Sequence, residues 1–227
     1  LIDIGGTKTR VATAQSLDGE ITVCDKIATP QKPSTAVDQI AQTINEHVSK
    51  QIDAISAGIA GSIGDNGSIC FSPNLPNWNQ FPFADKLGEA TGVDDVFVLN
   101  DTAVGALGEA HEGAGDDVGV SAYFTVGTGV GGSRIVNGKL DTVAYGFEPG
   151  HQVVNIDAFC ELTEMPEEGK VPGHLEYYLG GSNIEDKAGK SAPEIKDEDL
   201  WSEFEDRLVA ALNNVAVMWS PDVIVVG

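Results

Sequence analysis

Near the start of the chain, apolar residues follow the alternating pattern of strands interrupted by turns. The segments LIDIGG, TRVATAQ and ITVCDKIAT each predict one strand, and Gly5-Gly6 is the predicted turn between the first two. After Ser34 the period changes, and apolar residues recur at helical spacing at Val37, Ile40, Ala41, Ile44 and Val48. We therefore predict a helix that begins near residue 34, with Ser34 or Thr35 as its N-cap.

The rest of the chain alternates between strand and helix patterns. IDAISAGIAG and VFVLN predict buried strands, and helices are predicted from Phe83 to Ala90 and from Thr102 to about Ala110. VSAYFTVGTGVGGSRIVNGKL predicts two strands joined by a glycine turn, before a loop over roughly 146–175 and a helix from Trp201 to Trp219. The segment PDVIVVG predicts a last buried strand. DIGGTKTR and TVGTGVGGSR therefore repeat one pattern, a strand that enters a Gly/Thr turn and leaves as another strand.

Composition and charge exclude several classes of function. The 41% apolar content supports one large domain or two small lobes, and no apolar run approaches the length of about 18 residues that a membrane span needs. Asp and Glu total 35 against 13 Lys and Arg, which argues against nucleic-acid binding. The acidic residues are spread along the chain, so we prefer adaptation to high salt over a disordered acidic tail. The three cysteines form no disulfide pattern, and no signal peptide is visible, so we expect a cytoplasmic protein.

The two glycine turns are candidate phosphate-binding sites. Glycines at 5 and 6 let backbone N–H groups converge on an anion, while Thr7 adds a hydroxyl and Lys8 a charge. Asp3 precedes this turn and can hold a water molecule on a Mg²⁺ ion that the phosphates bring. In the second turn, four of residues 127–132 are glycine, and the two turns together could close on one polyphosphate. The alternative for each turn is an ordinary tight hairpin.

Two further segments carry candidate catalytic or binding groups. Asp101 lies at the end of VFVLN, where it could accept a proton from a substrate hydroxyl that attacks phosphorus. The alternative is that Asn100 or Asp101 only caps the following helix. Glu148-Pro149-Gly150-His151 places a carboxylate and an imidazole beside a glycine, which suits hydroxyl groups of a sugar or a plain surface turn.

Taken together, these segments resemble the ROK family of sugar kinases. DIGGTKTR and TVGTGVGG resemble its two phosphate motifs, PNLPNW its sugar-side loop, and LNDTAVGALGE the stretch with its catalytic aspartate. FEPGH resembles its E-x-G-H motif, and HLEYYLGG the segment beyond its zinc loop. PDVIVVG resembles the strand that leads into its adenosine motif, so we expect the family's C-terminal segment to be missing from these residues.

The resemblance implies an α/β protein with the actin-like ATPase (ribonuclease H-like) fold, with two lobes around a central cleft. We expect an N-terminal lobe over 1–99 and a C-terminal lobe over 100–227. The implied activity is transfer of phosphate from ATP, with Mg²⁺, to the 6-hydroxyl of glucose or a related hexose, with Asp101 as general base. The resemblance also suggests a homodimer whose small-molecule partners are sugar and nucleotide.

The resemblance also assigns individual residues to two binding sites. The implied sugar-binding residues are Gly61, Asn74, Asn100, Asp101, Glu148, His151 and Glu176. The implied phosphate-binding residues are Gly5, Gly6, Thr7, Lys8, Thr128 and Gly129, and Asp3 joins them as the predicted water-mediated partner of Mg²⁺.

The chain departs from the family where a zinc loop of the form C-x-C-G-x-x-G-C-x-E is usual. Between His151 and Glu176 the only cysteine is Cys160, and His174 stands where the last cysteine is expected. We therefore predict no metal ligands. A reduced zinc site made of His151, Cys160, His174 and a carboxylate is the alternative.

Two other functions remain open at this point. One is a non-catalytic sugar sensor of the same family, although the first phosphate motif begins at residue 3 and leaves no room before it for a DNA-binding helix-turn-helix. The other is a different hexose substrate, such as an N-acetylhexosamine, because the implied sugar ligands do not choose between these sugars. Other actin-fold enzymes, such as acetate kinases, are disfavoured by E-x-G-H and PNLPNW.

Overall fold

The computed structural model describes residues 1–16, 19–141, 147–167 and 169–227. The chain divides into two compact units, Leu1–Val104 and Gly105–Gly227, and each is described by itself. None of the helices in these described ranges is long and apolar enough to cross a membrane.

The first unit is built on a five-stranded sheet of order β3-β2-β1-β4-β7. Its strands are β1 (Ile2–Ile4), β2 (Lys8–Thr13), β3 (Thr22–Ala28), β4 (Ile55–Ile59) and β7 (Val96–Asn100), with a small hairpin of β5 (Ser62–Ile63) and β6 (Ile69–Phe71). Its helices are α1 (Pro33–His47), α2 (Phe83–Thr91) and the start of α3 (Asp101–Glu112), with a 3₁₀ turn at Pro76–Trp78. Strand β2 pairs antiparallel with both β1 and β3. Strand β4 pairs in parallel with β1 and with β7.

Packing of α1 and α2 on this sheet follows from the alternation seen in the sequence. Ile2 and Ile4 point into the core while Asp3, between them, is exposed, as period-two alternation requires. Helix α1 buries Val37, Ile40 and Ile44 as predicted. The predicted N-cap is wrong, because α1 begins at Pro33 without a side-chain cap. Proline suits that first position, since its ring fixes a helical φ and it has no N–H to satisfy.

The second unit is built on a four-stranded sheet of order β10-β9-β8-β11. Its strands are β8 (Val120–Val126), β9 (Val130–Val136), β10 (Lys139–Leu140) and β11 (Val223–Val226). Its helices, besides the rest of α3, are α4 (Ile156–Cys160), α5 (Leu175–Leu179), α6 (Gly181–Ala188) and α7 (Glu198–Trp219), with 3₁₀ turns at Pro149–His151 and Ala192–Glu194. The last strand, predicted from PDVIVVG, pairs in parallel with β8.

The segment predicted as a loop over roughly 146–175 contains regular structure. Residues 146 and 168 lie outside the described residues, but between them stand the 3₁₀ turn at Pro149–His151 and the short helix α4. Asn155 caps α4, because its side-chain oxygen accepts a hydrogen bond from the N–H of Ala158 at 3.2 Å. The core of the unit lies where α5 and α7 pack against β8 and β9, around Phe124, Leu175 and Phe204.

Candidate active site

The first glycine turn joins β1 to β2 and is held in shape by Thr29. The N–H of Gly5 donates to the carbonyl of Lys8 at 2.9 Å, which closes the turn. The Thr29 hydroxyl donates to the carbonyl of Gly5 at 2.8 Å and lies 3.0 Å from the Thr9 hydroxyl, while its N–H donates to the carbonyl of Thr7. The turn is therefore tied to the loop after β3 as well as closed within itself.

The PNLPNW loop lies against this turn. A Cβ at Gly6 would come 2.8 Å from the Cβ of Asn74, so the glycine permits the close approach. Leu75 and Trp78 anchor the loop, since both are fully buried and the Trp78 indole N–H donates to the carbonyl of Pro30 at 3.0 Å. Asn74 stays exposed beside the turn. The structure thus brings together Gly6 and Asn74, which the sequence assigned to phosphate and sugar respectively.

Gly61 follows β4 with a φ of +146°, a conformation that an L side chain rarely adopts. A Cβ here would collide with the carbonyl oxygen of Phe71. The neighbouring backbone is fixed as well, because the Ser72 hydroxyl donates to the carbonyl of Ala60 at 2.7 Å. Ser72 is itself held by the side chain of Asn79, which accepts its N–H at 2.8 Å. Glycine is therefore required at position 61.

Asn100 and Asp101 perform different structural tasks at the start of α3. The Asn100 side-chain oxygen accepts from the N–H of Ala103 at 3.2 Å, the geometry of an N-cap. Its amide nitrogen donates to the carbonyl of Gly61 at 3.0 Å. The Asp101 carboxylate accepts from the adjacent N–H of Thr102, at 2.8 Å, and the residue is exposed. Of the two candidate caps in the sequence, Asn100 is the one that spans the first turn.

The pKa of the Asp101 carboxyl is raised above its ordinary value. Removal of water by the surrounding protein is the largest cause, and the nearby negative charge of Asp3 adds to it, while the Thr102 N–H opposes the shift. Asp3 forms an ion pair with Arg10, its cross-strand neighbour in the β1–β2 hairpin. Asp3 and Asp101 therefore form a pair of neighbouring carboxylates with one cation beside them.

The second glycine turn joins β8 to β9, and helix α6 supports it. The N–H of Gly127 donates to the carbonyl of Gly129 at 2.9 Å. The first N–H groups of α6, from Gly181 and Ser182, donate to the carbonyls of Gly127 and Thr128 at 2.8 and 3.2 Å. A Cβ at Gly181 would lie 2.8 Å from the Gly127 carbonyl oxygen, so glycine is needed for this approach. The helix end thus satisfies the carbonyls of the turn.

Both turns present unused backbone donors. Within the described residues, the N–H groups of Gly6, Thr7, Thr128 and Gly129 donate to no protein acceptor. Thr7, Lys8 and Thr128 are exposed to solvent. Adjacent unpaired N–H groups on a glycine turn can bind an anion, because no Cβ blocks the approach of its oxygens.

Glu176, on α5, contacts the second turn. One carboxylate oxygen accepts from the N–H of Val130, the first residue of β9, at 2.6 Å. A Cβ at Gly129 or at Gly169 would come 2.5 Å from the two oxygens of this carboxylate, so both glycines make room for it. The sequence assigned Glu176 to a sugar, and the structure adds this direct link to the second phosphate turn.

The E-x-G-H segment packs against β9. Pro149 and Gly150 are buried, and a Cβ at Gly132 would lie 2.5 Å from Cγ of Pro149. A Cβ at Gly150 would collide with the carbonyl oxygen of Val130. Glycines on both sides therefore allow the turn to approach the strand, and they fix the backbone of Glu148 and His151 relative to the second glycine turn.

The candidate zinc ligands do not assemble into a metal site. His174 lies between two rings, with the Phe159 ring stacked on it at 5.5 Å and 14° and the His151 ring at 5.7 Å and 30°. Cys160 is exposed, and in the described residues no group of three His, Cys, Asp or Glu side chains is close enough to hold a metal. Among the same described residues, the buried Nδ1 atom of His174 has no hydrogen-bond partner. Burial, and then the neighbouring His151, lower the pKa of His174.

Several residues that build the site were not singled out in the sequence. Arg10 had a readable signal, because a short hairpin turn after Asp3 places the two residues opposite each other. No local sequence pattern indicated the roles of Thr29, Asn79 and Ser182, because their contacts depend on how distant segments fold back on the turns.

The ROK family model matches residues 1–227 of the chain. A glucokinase of Thermotoga maritima is 31% identical over 256 residues, covering 100% of this chain and 80% of that protein. A fructokinase of Pediococcus pentosaceus is 30% identical over 243 residues, covering 99% of this chain and 77% of that protein. A crystal structure of a ROK family glucokinase from Streptomyces griseus, in complex with glucose and AMPPNP, superposes with a TM-score of 0.76. It is 26% identical and covers 100% of this chain and 81% of its own.

The range that the family model matches includes every motif described above. Similarity to solved ROK structures confirms the actin-like ATPase fold that the resemblance implied. The chain therefore belongs to the ROK family.

Proposed function

We propose that the chain is an ATP-dependent hexose kinase that phosphorylates the 6-hydroxyl of glucose or a related sugar, with Asp101 as the general base. The observation that carries the proposal is that Asn100 and Asp101 have different roles at the start of α3. Asn100 caps the helix, so the Asp101 carboxylate is left exposed with a raised pKa and no comparable structural task. The sugar kinases among the relatives, a glucokinase and a fructokinase, point to the same chemistry.

Asp101 would accept the proton of the attacking hydroxyl as the oxygen bonds to phosphorus. A base works best when its pKa lies close to the working pH without exceeding it, so the raised pKa of Asp101 favours this role. The carboxylate still has to be ionised to act, and the Thr102 N–H helps to keep it so. Positioning would supply most of the remaining rate enhancement, as is usual in phosphoryl transfer.

The proposed sugar ligands are distributed over both units. In the first unit, the Asn100 amide that donates to Gly61 joins two of them, and Asn74 lies beside Gly6 on an anchored loop. In the second unit they are Glu148, His151 and Glu176. Several fixed polar groups favour discrimination between sugars, because an analogue that lacks a hydroxyl leaves one of them unpaired.

The proposed phosphate ligands are the two glycine turns. Gly5 shapes the first turn, while Gly6, Thr7, Thr128 and Gly129 would donate backbone N–H groups, and Lys8 would add a positive charge. Mg²⁺ bound to the nucleotide would offset the charge of the phosphates. Asp3 suits a water-mediated contact with that ion, because a second cation would ease the repulsion between its carboxylate and that of Asp101.

A coupled assay of ADP release tests this function. The purified chain would be given MgATP in high KCl with glucose, fructose, mannose, N-acetylglucosamine or N-acetylmannosamine. We expect at least one sugar to support turnover and to carry its new phosphate on the 6-oxygen, as ³¹P–¹H NMR of the product would show. A sugar that raises the melting temperature while none of the five supports ADP release would instead indicate a sensor.

A further inference from the structure

Three aromatic rings lie in a row in the segment that begins at His151, where the ROK family usually has a zinc loop. The rings lie in the spatial order Phe159, His174, His151. The centroid of the His174 ring is 5.5 Å from that of Phe159 and 5.7 Å from that of His151. We call these three residues the ring column. The ROK resemblance implies that the family usually has a zinc loop here, and the side chains of this chain do not suit zinc. Zinc in proteins takes four ligands, or three with a water, and the described residues bring together only the two imidazoles.

The backbone around the ring column is tightly held. Gly173 has a φ of +96°, and a Cβ there would come 2.6 Å from the Cβ of Phe159 and 2.7 Å from the carbonyl oxygen of Asn155. The carbonyl of Gly173 accepts N–H groups from Val154 at 2.8 Å and from Asn155 at 3.2 Å. The segment before α5 is thus fastened to the start of α4, which carries Phe159.

The chain around His174, the middle member of the ring column, is also connected through the backbone to the chain that follows His151. His174 pairs with Val153 in an isolated antiparallel bridge, and the N–H of Leu175 donates to the carbonyl of Gln152 at 3.0 Å. Gln152 and Val153 directly follow His151. The chain directly after His151 is therefore fixed to the chain around His174 by hydrogen bonds that require no metal.

We infer that Phe159 and His174 are positioning residues that hold His151 through ring contacts, without zinc: Phe159 stacks on His174, and the tilted His174 ring lies against His151. This inference rests on the proposed function only in assigning His151 to the sugar. The ring of His174 is needed for its shape, since its buried Nδ1 has no hydrogen-bond partner among the described residues. A phenyl ring at position 174 should therefore serve as well as the imidazole, because it keeps the stack and removes an unsatisfied polar atom.

Three variants and one measurement on the wild-type chain test this inference. Phe159→Ala removes the end of the ring column, and we expect kcat/KM for the sugar to fall about 10- to 100-fold through a higher KM, as misplacement of a ligand by up to 1 Å can cause. The KM for ATP should stay unchanged. His174→Phe should retain the sugar KM of the wild type and a melting temperature at least as high. Cys160→Ser is the matched control and should change neither value.

Metal analysis by mass spectrometry of the wild-type chain, purified without chelator, should find much less than one zinc per chain. One zinc per chain that is lost in His174→Phe would overturn the inference, as would a Phe159→Ala variant with the sugar KM of the wild type. If Phe159→Ala does not fold, Phe159→Tyr should restore the wild-type sugar KM, and a failure to do so counts against stacking. Zinc content and melting temperature need no turnover, so they still decide the inference if the proposed kinase activity fails.

Discussion

Replacement of Asp101 by asparagine should separate catalysis from stability. Asparagine keeps the size of the side chain and an oxygen that can accept the Thr102 N–H, and it removes the basic carboxylate. The loss of a general base typically lowers kcat about 10²- to 10⁴-fold, which corresponds to about 3–5 kcal/mol in the activation free energy. The KM values for sugar and ATP should change much less.

The same substitution should not destabilise the fold. Because the pKa of Asp101 is raised in the folded chain, its carboxyl group binds a proton more tightly there than in the unfolded chain. Its contribution to stability is present at pH values below the unfolded pKa and is lost as the pH rises through the folded pKa. At neutral pH the ionised carboxylate therefore opposes folding, and asparagine should leave the melting temperature equal or higher.

Asn100→Ala is the matched control, because it changes the adjacent residue and the cap instead. It removes both the cap to Ala103 and the donor to Gly61, which together should lower the free energy of unfolding by about 2 kcal/mol. The assays are steady-state kinetics of ADP release and urea denaturation followed by circular dichroism. In the wild type, kcat should decline on acidification with a midpoint above the ordinary pKa of an aspartate.

Two results would refute this reasoning. Asp101→Asn with kcat within a few-fold of the wild type would show that another group takes the proton. Asp101→Asn as unstable as Asn100→Ala would show that Asp101, too, serves mainly as a helix cap.

Further predictions concern the glycine turns and the surface charge. Gly61→Ala should lower the free energy of unfolding by at least about 1–3 kcal/mol, because an L residue is strained at φ +146° and its Cβ would meet the Phe71 carbonyl; unchanged urea denaturation would contradict this. Glu176→Ala should cost about 1–3 kcal/mol by leaving the Val130 N–H unpaired and should raise the KM for ATP, whereas Glu176→Gln, which keeps an acceptor, should do less of both. The net charge of −22 predicts a melting temperature that rises with KCl, since the Debye length shrinks to about 3 Å at 1 M; a flat dependence would argue against adaptation to salt.

Much of the fold was predictable from local patterns. Alternation in LIDIGG and in TRVATAQ and the helical spacing after Ser34 identified β1, β2 and α1, because one side of each element must be apolar to pack on the core. The boundary of α1 was less predictable. Ser34 has a good capping side chain, yet the helix begins at the rigid ring of Pro33, with Lys32 in the N-cap position.

The candidate residues were also identified in sequence, since glycine turns and a carboxylate after a strand have recognisable patterns. Their partners were not. Whether Asn100 or Asp101 caps α3 was left open by the sequence and decided by where the Gly61 carbonyl lies. The contact of Glu176 with Val130 joins residues 46 positions apart, and no local pattern encodes it.

The sequence by itself determined which residue types are available for phosphate, sugar and proton transfer, because turn geometry and apolar period act over a few neighbouring residues. The tertiary structure alone decided which of them are occupied by structural tasks, such as Asn100 as a cap and Glu176 as the acceptor for the Val130 N–H. It also decided that Phe159, with no polar atom, is the ring that stacks on His174. Such choices depend on contacts between distant segments, and these exist only once the chain has packed.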